Sequence, residues 1–488
     1  MKYYIGVDLG TSSMKLLLVS SKGDVINSVT EEYPVFFPFS GWSEQNPSDW
    51  WNALVTGVNK LLSCIDKSKV AGIGVAGQMH GLVILDNKDN VIRPAILWND
   101  GRTAKETEFL NKTVDLPKFT ANIAFAGFTA PKILWVKNNE PENFRKINKI
   151  MLPKDYLNYL LTGVNATDYS DASGMLLLDV ENKRWSAEML SVCGITEDML
   201  PDLYESYEHI GSLLPSVAEL LGLNKDVKVV AGAGDNAAAA IGTGTVKQGM
   251  CNISLGTSGT VFIPCDNFAP VSNNAIHNFC HSNGKYHLMG CILSAASCNK
   301  WFCEDVLRTG DYSLEQTYVT DDDLGNNNVF FLPYLMGERS PINDTFARGA
   351  FIGMRLDTNR SDMVLSVLEG VAFAIRDNME VAKKLGITVS KSTLCGGGAR
   401  SQLWQIILAN VLNVDIEIPV TEEGPGMGAA MLCMVAQGDF SSVEECSSAF
   451  MSIKSVIKPD AEIVSRYNEK YNKFKMLYPS LKEVFKSF

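Results

Sequence analysis

No apolar run in the chain approaches the ~20 residues that a membrane-crossing helix requires. The opening residues, MKYYIGVDLG, lead straight into a strand, without the apolar stretch and small-residue cleavage site of a secretory leader. Eleven cysteines, an odd number, are scattered from Cys64 to Cys446 with no Cys-x-x-Cys spacing. In a chain without an export signal they read as reduced, mostly buried thiols, and the cytoplasm is the expected location. A basic excess is also missing: 43 Lys+Arg against 55 Asp+Glu leave a formal charge of -12, which argues against nucleic-acid and anionic-membrane partners. There is no low-complexity segment and no linker-like stretch. His277, Cys280, His281 and His287 fall close together, but their spacing fits no zinc pattern.

What the chain does have is length and punctuating glycine. With 488 residues it exceeds what one hydrophobic core organises, so two or more domains are expected. Glycines cluster directly after apolar β-branched runs. The stretch 4–19 reads as a strand, a tight Gly10-Thr11-Ser12 turn and a second strand, and 252–263 repeats that layout around Gly256-Thr257-Ser258. Laying Asp8 on Ser254 aligns Leu-Gly-Thr-Ser in both copies at a spacing of 246 residues, half the chain. A period that long indicates a duplicated domain rather than a solenoid, with halves 1–246 and 247–488.

Between these landmarks strands alternate with amphipathic helices, the pattern of α/β domains around buried sheets. Residues 70–76 read as a buried strand. Residues 361–385 read as one long helix with Ser361 as its cap, 391–400 as a strand entering a glycine turn, 401–411 as a helix, and 460–488 as a terminal helix. Two glycine-led, alanine-rich helix starts, at 229–241 and 424–433, would allow close helix approach, as a hinge between moving lobes requires.

Strand-joining glycine turns can cradle phosphate through backbone N–H groups without net positive charge. One such turn is equally an ordinary hairpin, but two copies half a chain apart favour the phosphate reading. Asp8, at the end of the first strand, suits a hydrated Mg²⁺ beside phosphate, and its counterpart Ser254 does not. Asp235 follows Gly232-Ala-Gly at a strand mouth and suits a general base, although an N-cap aspartate would occupy the same place. Gly396-Gly397-Gly398 leaves room for a flat ligand such as adenosine. Gly77-Gln78-Met79-His80-Gly81 offers an amide, a thioether and an imidazole, a lining that suits a carbohydrate, though His80 serves equally as a turn residue.

Together these residues resemble the FGGY carbohydrate kinase family. Gly127-Phe-Thr-Ala-Pro-Lys-Ile-Leu-Trp-Val-Lys-Asn-Asn139 matches its first signature, and Gly349-Ala-Phe-Ile-Gly-Met-Arg with Val367-Leu-Glu369 matches the second. The resemblance implies two actin-like (ribonuclease H-like) α/β lobes with an active-site cleft between them. The N-terminal lobe would carry the sugar site, metal carboxylate and base, and the C-terminal lobe the ATP site. Trp42-Ser-Glu-Gln-Asn-Pro47, Gly77-Gln-Met-His-Gly81, 94–102, 152–157, Gly234-Asp-Asn-Ala-Ala238 and Gly337-Glu-Arg339 are most similar to members that phosphorylate D-xylulose at its 5-hydroxyl. By resemblance, Asp235 is the base, and Asp8 with Asp235 serves Mg²⁺. Gln78, Met79, His80 and Asn236 meet the sugar. Gly10, Thr11, Ser12, Gly256, Thr257 and Gly396–Gly398 meet ATP. The expected partners are therefore a sugar and ATP, and a homodimer is compatible. Gluconate, ribulose, a deoxy-ketose or a polyol is the alternative acceptor, and an acceptor-free actin-fold ATPase the remaining one. Ala233 stands where many members carry glycine, a methyl expected to trim the pocket beside Asp235.

Overall fold

The structure, a computed structural model, describes residues 1–63, 65–271, 275–420 and 423–488. The chain divides into two compact units. The first comprises Met1–Val246, Asn278–His287 and Glu423–Met451, and the second Lys247–His277, Leu288–Glu422 and Ser452–Phe488. Two segments from the second half of the sequence therefore pack with the first unit.

The first sheet contains β1 (Tyr3–Leu9), β2 (Ser13–Ser20), β3 (Val25–Glu32), β4 (Val70–Gly77), β5 (His209–Ser212), β6 (Lys228–Val230) and β7 (Ala233–Gly234). Their order is β5-β6-β4-β1-β2-β3, with β7 also paired to β4. β1 and β2 form an antiparallel hairpin, and β1, β4 and β6 run parallel. Both faces of this sheet are covered, which is why its central strands read as continuous apolar runs. On one face Ile5, Val7, Leu16 and Leu18 pack with Trp50, Leu54 and Val58 of helix Pro47–Leu61. On the other, Tyr4, Leu17 and Val19 pack with Met427, Ala430 and Met431 of helix Gly424–Ala436.

That second helix can lie so close only because small residues face one another. A Cβ on Gly6 would stand 1.9 Å from Gly426 O, and one on Gly74 would stand 2.2 Å from Ala429 O. The same helix crosses Asp235–Gly242, where a Cβ on Gly428 would stand 2.0 Å from Ala238 O. The two alanine-rich stretches thus do allow close approach, but both helices belong to the first unit. Their small faces pack against one another inside that unit.

The second sheet contains β8 (Met250–Leu255), β9 (Gly259–Cys265), β10 (His277–Cys280), β11 (Tyr286–Ile292), β12 (Lys391–Cys395), β13 (Asp415–Pro419) and β14 (Ile453–Ile457), in the order β10-β11-β9-β8-β12-β13-β14. Its core repeats the first strand for strand. A hairpin (β8–β9) is followed by two parallel strands (β12, β13) and an antiparallel edge (β14), as β1–β2 is by β4, β6 and β5. The half-chain period thus marks a repeated strand order, although the edge strand precedes its neighbour in the first sheet (β5 before β6) and follows it in the second (β14 after β13).

The long helix runs Arg360–Lys384 and is capped by Asn359, whose side chain accepts from Asp362 N while Asp362 returns a carboxylate to Asn359 N. Ser361 lies inside the helix, so the expected cap is corrected by two residues: Asn359 has the extended backbone a cap needs. The terminal helix Ala461–Phe485 is capped by Asp460. It is tied to the long helix by the buried pair Lys470 Nζ–Glu369 Oε2 at 2.5 Å.

Candidate active site

In the first unit, the turn after β1 is held by its carbonyls. Gly10 O accepts from Tyr33 Oη (2.6 Å) and Gln78 Nε2 (3.3 Å), and Thr11 O accepts from Gln45 Nε2 (2.7 Å). Trp98 Nε1 donates to Thr11 Oγ1 at 2.9 Å. In a trans peptide the N–H points opposite the C=O, so tying these carbonyls back turns the N–H groups of Thr11 and Ser12 the other way. The second turn uses the same device with different donors. Gly256 O accepts from Ala296 N (2.9 Å), and Thr257 O accepts from Ala295 N (2.9 Å) and Ser297 Oγ (2.7 Å). A pair of pinned glycine turns, one per unit, is a chemistry suited to phosphate.

Asp8 sits on β1 opposite Lys15, and Lys15 pairs with Glu423 at 2.6 Å. Burial, then repulsion from Asp235, pushes the Asp8 carboxyl up to about 7, against the pull of Lys15. Asp235 is the first residue of its helix, and Gly234 holds the cap position, so the N-cap alternative does not describe it. Its Oδ1 accepts from Asn236 N (2.7 Å) and Asn236 Nδ2 (2.9 Å). Burial raises Asp235 to about 6 despite those two donors. Two carboxylates, Asp235 raising the proton affinity of Asp8, supply only oxygen and form a donor set that fits a hard divalent cation.

The 77–81 loop lies directly beside Asp235. Met79 Cγ and Sδ stand 3.0 Å from where a Cβ of Gly234 would lie, and the His80 ring is 2.4 Å from a Cβ position on Gly174. His80 adopts a left-handed φ of 68°, and three contacts hold it there. Its Nδ1 meets Gly174 O at 2.8 Å, its ring stacks on Phe128 at 4.6 Å, and its carbonyl accepts from Lys132 Nζ at 2.8 Å. Lys132 also holds Gly127 O, and burial keeps its pKa well below the ordinary lysine value. The first signature, 127–139, thus contributes Phe128 and Lys132 as braces of the His80 loop. The Gln78 amide donates to Gly10 O and Gln45 Oε1, so this side chain also braces the glycine turn. The Ala233 methyl also differs, because it is fully buried in the core beneath helix Gly424–Ala436 and trims no pocket.

In the second unit a cavity of about 510 Å³ opens between Gly397, Gly398 and the second turn, lined also by Thr257, Asn299, Gln316, Arg400 and Trp404. Gly396 takes a φ of 86°, and a Cβ there would fall 2.7 Å from Leu255 O, so the strand can turn here only on glycine. Asn299, Gln316 and Arg400 carried no sequence signal, because they come from separate segments that only folding assembles. Among the described residues no three or more His, Cys, Asp or Glu side chains gather as metal ligands, the His277, Cys280, His281 and His287 group included.

Family models for the FGGY family of carbohydrate kinases match residues 3–242 (N-terminal domain) and 251–437 (C-terminal domain). The chain belongs to that family and has its two-lobed, actin-like α/β fold. Among curated relatives, the xylulose kinase of Escherichia coli K12 is 41% identical over 481 residues, covering 98% of this chain and 99% of its own. Among solved structures, a xylulose kinase from Brucella ovis superposes with a TM-score of 0.94 at 40% identity, covering 99% of this chain and all of its own. A gluconate kinase from Lactobacillus acidophilus reaches the same TM-score at 25% identity, covering 100% and 99%. Backbone likeness therefore leaves the sugar open.

Proposed function

We propose that this chain transfers the γ-phosphoryl group of ATP to the 5-hydroxyl of D-xylulose. The observation that carries this reading is the placement of Asp235 at a helix start, its carboxyl pushed toward neutrality by burial, directly beside the Met79–His80 loop. Asp235 accepts the proton of the sugar hydroxyl as the oxygen attacks phosphorus, and Asn236 holds the carboxylate by its two donors. Met79 packs on the sugar carbons, and His80, with its ring fixed by Phe128, presents Nε2 for a hydroxyl. The N–H groups of the two pinned turns bind phosphate oxygens, and the 510 Å³ cavity with Gly397 and Gly398 takes the nucleoside. Asp8 and Asp235 would hold Mg²⁺, which offsets phosphate charge when bound. We place the enzyme in the ATP-rich, reducing cytoplasm, which suits cysteines scattered along the chain without paired spacing.

The choice of D-xylulose is supported by the identity to xylulose kinases over nearly the full chain. It is tested by ADP release over a panel containing D-xylulose, D-ribulose, xylitol and gluconate: kcat/KM is expected to be highest for D-xylulose. A higher value for gluconate would replace the substrate, and ADP release indifferent to any sugar would replace the reaction. Asp235→Asn is expected to lower kcat by about 10²–10⁴-fold with nucleotide binding intact. Wild-type turnover in that variant would remove Asp235 from the mechanism.

A further inference from the structure

A buried polar cluster that the proposed chemistry does not touch holds the segment leading to Asp235. Lys154, Asp155, Asp168 and Asp171 are fully buried. Lys154 Nζ lies 2.7 Å from Asp155, 3.2 Å from Asp168 and 4.0 Å from Asp171. Burial alone would lower the lysine, but the three carboxylates outweigh it and hold it charged. Lys154 Nζ also donates to Ala231 O (3.1 Å), which accepts from Asn158 Nδ2 as well (2.9 Å). Asp168 Oδ2 accepts from Ser170 Oγ (2.5 Å) and Ser206 Oγ (2.7 Å). Ser170 Oγ in turn accepts from Gly234 N at 3.1 Å, and Ser206 O accepts from Gly232 N at 3.1 Å.

Three closely spaced anchor points, on Ala231, Gly232 and Gly234, are thus met from helix Pro153–Thr162, from the loop at Ser206 and from the turn after Asp168. The hydroxyl of Ser170 is the last link, and its roles are consistent: its hydrogen goes to Asp168 and its lone pair receives the Gly234 N–H. Opposite these anchors, a Cβ at Gly232 would stand 2.0 Å from Val75 O, so the segment has no room to shift toward β4.

We infer that the Lys154–Asp168–Ser170 relay is a positioning device for Asp235, with Ser170 as the residue that sets where the carboxylate sits. This rests on Asp235 being the base. A base displaced by about 1 Å loses on the order of 10²-fold in rate, whereas binding of a nucleotide elsewhere is untouched. Ser170→Ala in the full-length enzyme is therefore expected to lower kcat by about 10–100-fold while KM for ATP stays near wild type, whatever the lost buried hydrogen bonds cost in thermal midpoint. Ser170→Cys, nearly isosteric but a poor acceptor, should do the same and carries the test if the alanine variant does not fold. Ser170→Thr keeps the hydroxyl and should restore most of kcat. Wild-type kcat in a folded Ala or Cys variant overturns the inference, as does a fall that Thr shares equally. Asp235→Asn, assayed alongside, separates the two readings. If it is inactive while the Ser170 variants are fully active, only the positioning role fails; if it is active, the base assignment itself fails.

Discussion

Asp8 and Asp235 place two acids where the empty fold would be more stable without their charge. Asp8 has its folded-state pKa raised from 3.8 to about 7, so the native state binds protons more tightly than the unfolded chain over that interval. The stabilising effect of protonation is full below about 4 and is lost as pH rises through about 7. Asp8→Asn is accordingly expected to stabilise the ligand-free protein at pH 8 by roughly 1–3 kcal/mol, with the gain vanishing near pH 4. Urea melts at the two pH values check this, and equal stability at pH 8 would contradict it. Activity should be low in the same variant, an instance of a binding site held at the expense of stability. Asp8, at about 7, must be ionised to hold a cation and Asp235, at about 6, to accept a proton, so kcat/KM is expected to fall below pH ~7 and to steepen toward a two-proton slope below pH ~6. A profile flat to pH 5 would exclude these groups as the ones that titrate.

At the scale of elements, glycines that look alike in sequence do different work. Gly428 faces Ala238 O at 2.0 Å from its would-be Cβ, and Gly397 has nothing within 4 Å. Gly428→Ala must push two helices apart and should cost about 1–3 kcal/mol or more. Gly397→Ala should leave the thermal midpoint unchanged and raise KM for ATP, since its methyl enters the 510 Å³ cavity proposed for the nucleoside. Thermal denaturation together with ATP titration of both variants distinguishes the two cases. The strands, the glycine turns and the helix 401–411 were legible because each is written in a local run: apolar β-branched residues, then glycine, then a 3.6-residue repeat. The cap of the long helix was missed by two residues because Ser361 and Asn359 are both good caps, and only backbone conformation chooses between them. Asp8, Met79, His80 and Asp235, the residues proposed for the site, stand out in the sequence because each sits beside such a landmark. Tyr33, Gln45 and Lys132 were not recognised as their supports, because a hydrogen bond to a distant carbonyl leaves no period in the sequence.

Over the whole molecule, stability depends on long-range polar links as well as on apolar burial. The terminal helix is joined to Arg360–Lys384 by Lys470 and Glu369, both almost fully buried. Burial drives Glu369 up and Lys470 down, each toward its neutral form, and the ion pair opposes both shifts. Removing one partner leaves an uncompensated buried charge, so Lys470→Met should cost about 3–5 kcal/mol, whereas the double change Lys470→Met with Glu369→Leu should recover most of that loss. Equal destabilisation by the single and double variants would show that the pair matters only as volume.

By itself, the sequence determined the duplicated α/β plan. A Leu-Gly-Thr-Ser turn after a buried strand occurs twice, 246 residues apart, and each copy folds by its own local pattern. Only the tertiary structure decided that helix Gly424–Ala436 belongs to the first unit, that the Ala233 methyl faces a core, and that Lys154, Asp168 and Ser170 converge on the strand mouth before Asp235. These depend on contacts between residues up to several hundred positions apart. Apolar periodicity fixes which face of an element is buried but not which distant partner will cover it.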